Sequence, residues 1–266
     1  MRRFKCIYRA VQILAVVSAV CSCSAAMASW LWNSPAEKAM KAGVAKGVCV
    51  VILTGDSMAS LPCDLAASHK MLVHVIATSD EAMKAAQDAV ATAKLEGFVT
   101  VEKLPLDPLP YRNDLINLIV VDDSSRASKS GYKREEAMRV VAPLGSLCVF
   151  GDDKEITQKP VPPQMDEWTH DLHGPDGGLI SKDKVFKYPI GYRWNAGLPS
   201  SYADPKFSSN AWSSTRGLAV TGGRCFTLSM GELENMGRAC FLPYGNDQYV
   251  TCRDAFNGTL LWRKNV

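Results

Sequence analysis

Between residues 35 and 155, short runs of apolar, largely β-branched residues alternate with helix-like stretches. That alternation leaves few folds open. Val48-Cys-Val-Val-Ile-Leu-Thr54 and Met71-Leu-Val-His-Val-Ile-Ala77 are continuous apolar runs, the mark of strands covered on both faces. Phe98 to Leu104, Leu115 to Val121 and Ser146 to Phe150 read as three further strands. Between them fall helical stretches from about Ser60 to His69, behind Thr78, and from Arg134 to Val141. Thr78 and Glu81 have capping-box spacing. The helix behind them places Met83, Ala86, Val90 and Ala93 on one face and stops at Gly97. A short helix with Pro35 at its start and Gly43 at its end precedes the first strand. Strands and helices at this spacing predict an α/β fold with a doubly wound, mainly parallel sheet.

The first residues read as an address. Arg2, Arg3, Lys5 and Arg9 precede the apolar run Ala10–Val20, and Ala26-Met27-Ala28 offers a small-residue cleavage site. This is the layout of a secretory signal peptide over residues 1–28, and it predicts export to the periplasm or cell envelope. The apolar run is about half of the ~20 residues that a membrane-spanning helix needs, so no stable transmembrane anchor is expected. Cys23 in Val20-Cys-Ser-Cys23 leaves a lipoprotein as an alternative. Removing the leader takes away four of the 30 basic residues and none of the 27 acidic ones, so the mature chain is close to neutral. A phosphate-backbone groove for nucleic acid is therefore not implied. Of the cysteines left, Cys49 and Cys148 lie in strand-like runs and read as buried hydrophobes. Cys240 and Cys252 are the candidates for a bridge between neighbouring strands.

After Lys159-Pro-Val-Pro-Pro163, an extended linker within 156–165, helical periodicity disappears. Short strands punctuated by Gly, Pro, Asn and Asp remain: Ile190–Trp194, Gly217–Val220, Arg224–Leu228, Gln248–Cys252 and Thr259–Trp262. They predict an all-β part over 166–266, with a hairpin turn at Asn257-Gly258.

In a doubly wound sheet, ligands bind beyond the carboxyl ends of the strands. The loop Thr54-Gly-Asp-Ser-Met58 lies there. Together with Leu109–Val121 and Glu136-Ala-Met-Arg-Val-Val-Ala-Pro-Leu-Gly145, it resembles the class I S-adenosylmethionine-dependent methyltransferases. The last segment is similar to that family's E-x-x-R-V-L-x-P-G-G, with Leu144 where the first glycine would stand. The resemblance implies a cofactor pocket, vestigial here, at Gly55, Asp56, Asp80 and Asp107, with Asp107 on the adenine side. It departs from the family at the end of the second strand. There Ala77 or Thr78 replaces the acidic residue that grips the ribose, and Asp80 is displaced into the helix start. No cofactor is expected, with S-adenosylmethionine implied by the resemblance alone. Asp122-Asp123 ends the fourth strand, where paired carboxylates could do proton chemistry; a polar strand end is the leading reading.

Asp166-Glu-Trp-Thr-His-Asp-Leu-His-Gly-Pro175 followed by Gly191–Gly197 resembles the opening of a pyrroloquinoline-quinone-type β-propeller. Val250–Trp262 is similar to that family's repeat A-x-D-x-x-x-G-x-x-x-W, with Asp254 and Gly258 shaping the turn and Trp262 a packing ring. The resemblance implies a quinoprotein-like propeller, and pyrroloquinoline quinone only as its family's cofactor. A propeller needs ~4–8 blades of about 40 residues. Asp166 to Val266 is 101 residues, one to two blades, so missing blades or a protein partner are expected. His170 and His173, beside Asp166, Glu167 and Asp171, form the densest group of metal-ligand types. A structural role leads there, with a metal second. The function expected is a non-catalytic binding or scaffold role, with methyl transfer and a fragment of a quinone-dependent oxidoreductase as alternatives.

Overall fold

The computed structural model describes residues 34–44, 46–153, 155–170, 172–185, 193–194, 215–230 and 248–265. The leader, Asp171, Cys240 and most of the expected strand at 190–194 lie outside them. The chain divides into two compact parts, Met1–Lys41 and Ala42–Val266. In the first, α1 (Pro35–Met40) starts at Ser34, whose Oγ accepts from the Glu37 N–H at 3.1 Å.

The second part opens on β1 (Val48–Leu53), α2 (Leu61–His69), β2 (Leu72–Ala77), α3 (Asp80–Ala93), β3 (Val99–Lys103) and β4 (Ile116–Val121). It continues through α4 (Ser124–Lys129), α5 (Arg134–Val140), β5 (Val141–Val149) and β6 (Ile156–Gln158). These strands form one six-stranded sheet in the order β3-β2-β1-β4-β5-β6, parallel except for β6. This is the doubly wound arrangement expected. All six residues of β4 are buried, as a central strand with both faces covered requires. The chain reverses direction across the sheet between β1 and β4, so the switch point lies where the loops after these two strands begin.

Several boundaries differ from expectation for identifiable reasons. The cap of α3 is Ser79 rather than Thr78, its Oγ accepting from the Ala82 N–H at 3.1 Å. The buried face of α3 is Ala82, Ala86 and Val90, and Ala93 is exposed. The helix ends at Lys94 in a left-handed conformation, three residues before Gly97. β5 starts at Val141, earlier than Pro143-Leu-Gly145 suggests, and crosses these residues with a register shift against β4. Leu144 adopts φ +65°, the conformation that a glycine at this position would favour. The segment read as a linker begins with β6, and Lys159 extends the pairing, its N–H donating to the Gly145 carbonyl at 2.9 Å. The Lys159 ammonium donates to Asp114 Oδ1 and to the carbonyls of Met138 and Val141 at the end of α5.

The all-β part contains β7 (Thr215–Thr221), β8 (Arg224–Met230), β9 (Gln248–Asp254) and β10 (Leu260–Asn265). They pair antiparallel in sequence order as one four-stranded meander. A ring of such sheets is not seen among the described residues. The β9–β10 hairpin is there, with Gly258 at φ +75°. Cys49 and Cys148 are fully buried as expected, and Cys252 is a free, buried thiol.

Candidate functional site

The carboxyl-end edge of the parallel sheet is where a doubly wound fold places its ligands. Strand order sets Gly55 and Asp56 after β1, Asp80 after β2 and Asp107 after β3 along this one edge. The structure therefore brings Gly55, Asp56 and Asp107 in loops and Asp80 at the start of α3 to the same edge, where bonds within the protein hold them.

The β1 loop is clamped to β4. Asp122, 6% exposed, accepts from the Thr54 N–H at 2.7 Å and from Thr54 Oγ1 at 2.8 Å. Burial pushes its carboxyl up, against the opposing pull of those bonds. Asp123 turns the other way and caps α4, accepting from the N–H groups of Ser125 and Arg126. The Arg126 N–H, more than any other group, holds its carboxyl below the usual range. The two carboxylates thus serve as a strut and a helix cap. A Cβ on Gly55 would stand 2.8 Å from Arg126 Nη1, so the guanidinium lies over the loop's glycine.

At the end of β2, the Thr78 N–H donates to the Leu53 carbonyl at 3.0 Å, and Ala77 is fully buried. Asp80 meets Lys103 Nζ at 2.7 Å, with the two side chains 81% and 47% exposed. Asp107 is ion-paired with Lys133. Glu136 and Arg139, the charged pair of the segment before Gly145, brace this loop. Arg139 donates twice to Glu136, and Glu136 accepts from the Leu109 N–H at 2.8 Å.

S-adenosylmethionine, as the resembled family holds it, needs a ribose acceptor at the end of β2. Here Ala77 is a buried methyl group, Thr78 offers a hydroxyl in place of a carboxylate, and Asp80, displaced into the helix start, binds Lys103. The residues present do not fit the group in that manner.

His170 and His173 share no helical face. They pair backbone to backbone across a tight turn, and His170 is exposed. His173 is buried and its Nε2 lies 2.7 Å from Asp166 Oδ2. Asp166 also accepts from the Lys182 N–H at 2.6 Å. This bond and the imidazole hold its carboxyl down at about 2. Glu167 accepts from Thr221 Oγ1 and from the Gly222 N–H. The cluster is a structural knot that ties the 164–185 segment to β7, where Trp168 and Val220 exchange backbone bonds. Among the described residues no group of three metal-ligand side chains is placed to hold an ion.

A second junction was not anticipated. Asn117, 7% exposed on β4, accepts from the Val48 N–H and from Asn257 Nδ2, and donates to Asp254 Oδ2 at 2.7 Å. Asp254 Oδ1 accepts from the N–H groups of Phe256 and Asn257. The Asp254–Gly258 turn is thus bolted to the α/β part, and Trp194 Nε1 donates to Ala255 O at its other side. A Cβ on Gly47 would meet Asn117 Oδ1 at 2.1 Å, so the junction needs glycine there. One signal could have found it: Asn117 is the lone amide in an otherwise apolar strand.

No protein-family model matches the chain, and no curated protein matches it. Among solved structures, it is similar to an S-adenosyl-L-methionine-dependent methyltransferase-type protein of Methanococcus maripaludis, at 20% identity and a TM-score of 0.35, covering 43% of this chain and 52% of that one. A sarcosine dimethylglycine methyltransferase-type protein of Galdieria sulphuraria gives 19% and 0.34, covering 45% and 46%. The geranyl diphosphate C-methyltransferase of Streptomyces coelicolor gives 11% and 0.36, covering 43% of each chain. The chain spans about half the length of the structures it matches. No helix among the described residues is long and apolar enough to cross a membrane.

Proposed function

We propose that the chain is a binding and scaffold protein of the cell envelope, in which a methyltransferase-type α/β part carries the first blade of a quinoprotein-like β-sheet assembly. The observation that carries this reading is the buried junction of Asn117 with Asp254 and Asn257. It joins the repeat-like turn to the α/β part through desolvated hydrogen bonds, a contact suited to holding the two in fixed register. The internal bonding of Asp80, Asp107 and Asp122 at the opposite edge supports it, and the leader-like start supports the location.

A second reading, S-adenosylmethionine-dependent methyl transfer, is favoured by one observation. The ion pair guarding the edge, Asp80 with Lys103, is solvent-exposed. Such a pair is worth about 0–1 kcal/mol, whereas micromolar binding supplies about 8 kcal/mol, so a ligand could displace it. Calorimetric titration of the full chain with S-adenosylmethionine separates the two. The scaffold reading expects no heat of binding up to about 1 mM ligand. A micromolar Kd overturns it in favour of methyl transfer.

A further inference from the structure

A cleft of about 420 Å³ opens between the amino-end side of the parallel sheet and the tight turns of the antiparallel sheet. Its volume is that of a site for a small organic ligand. Two cations line it, Lys46 and Arg224. Among the described residues Lys46 Nζ makes one hydrogen bond, to the Leu261 carbonyl at 3.2 Å, which leaves further ammonium N–H groups for another acceptor. Among the described residues neither cation takes part in an ion pair. The one carboxylate in the lining, Asp254, is buried and already receives three hydrogen bonds from neutral donors, the Asn117 amide and two backbone N–H groups. The cleft is thus positive at its lip and internally satisfied at its floor.

The backbone leaves room as well. Gly43 and Gly222 both line the cleft in left-handed conformations, φ +81° and +55°, and a Cβ on either would meet nothing within 4 Å. Trp262, 43% exposed, adds a flat apolar wall.

We infer that this cleft binds a small anion with a planar ring, its phosphate or carboxylate group on Lys46 and Arg224 and its ring against Trp262. The site is separate from the carboxyl-end edge, which lies beyond the other ends of the same strands. It goes beyond the scaffold reading and stands whether or not S-adenosylmethionine binds.

The test is calorimetric titration of the full chain with three probes: adenosine monophosphate, benzoate and inorganic phosphate. The expected result is a Kd below about 1 mM for adenosine monophosphate or benzoate, with inorganic phosphate at least about tenfold weaker for want of a ring. Binding of adenosine monophosphate alone assigns a phosphate ligand; binding of benzoate alone assigns a carboxylate. Lys46→Gln and Arg224→Gln should each weaken binding about tenfold, Lys46→Arg should retain it, and added salt should weaken it. S-adenosylmethionine should not compete. The inference is overturned if none of the three probes binds, if both glutamine variants bind like the parent, or if S-adenosylmethionine displaces the probe.

Discussion

Asn117 shows how much one side chain can decide. In a strand of Ile, Leu and Val, a polar amide has no reason to be buried unless every one of its groups is met. It is met three times: by the Val48 N–H at 2.9 Å, by Asn257 Nδ2 at 2.7 Å and by Asp254 Oδ2 at 2.7 Å. Asn117→Ala removes all three bonds and takes one donor from a carboxylate that is only 8% exposed. We expect it to lower the stability of the C-terminal part by about 2–4 kcal/mol, read from the urea midpoint of its fluorescence transition. At the same scale, Ala77 departs from the acidic residue that the resembled family has at the end of its second strand. A methyl group accepts no hydrogen bond, and it is sealed in the sheet.

Among the elements, the described residues of the 164–185 segment form no helix or strand of their own, and the Asp166 carboxylate gathers their turns. The Asp166 carboxylate takes the Lys182 N–H, His173 Nε2 and Ser181 Oγ, while the Asp166 N–H donates to Asp183 Oδ2 at 3.5 Å. Its folded pKa of about 2 lies below the ordinary 3.8. A depressed carboxyl contributes stability above the ordinary value and loses it as pH falls through the folded one. The segment should therefore release between pH 3.8 and about 2. Trp168, whose ring lies 5.1 Å from that of His173, reports the release by fluorescence. In Asp166→Asn this acid limb should be flat; an unchanged limb would assign the transition to another group. Elements were legible to different degrees. β1, β2 and β4 announce themselves because both faces are largely buried and nearly every residue is apolar, His74 and Asn117 excepted. α4 leaves no periodicity to detect, because it is a six-residue polar helix that buries Ala127 alone and depends on the Asp123 cap.

For the whole molecule, the question is whether the two sheets fold as one. None of the six tryptophans lies between Val48 and Gln158, and Trp168, Trp194 and Trp262 all belong to the C-terminal part. Trp30 and Trp32 precede the α/β part; with both replaced by Phe, tryptophan fluorescence follows the C-terminal part, and far-ultraviolet circular dichroism follows chiefly the helices of the α/β part. If the Asn117 junction couples them, both signals should change at one denaturant midpoint, and Asn117→Ala should separate the midpoints. Separate transitions in the parent chain would show the junction to be a contact without coupling.

Local pattern alone determined that a doubly wound α/β sheet precedes an all-β segment, because the period of hydrophobic residues reflects which faces a strand or helix must bury. It also placed Gly55, Asp56, Asp80 and Asp107 near one edge, because residues that follow successive parallel strands must emerge on the same side. Only the tertiary structure decided what those side chains do: Asp80 turns to Lys103, Asp107 to Lys133 and Asp122 to Thr54. The same holds for the meeting of Asn117 with Asp254, 137 positions away, and for the cleft beside it. Hydrogen bonds are short-ranged and directional, so partners distant in the chain leave no periodic trace in it.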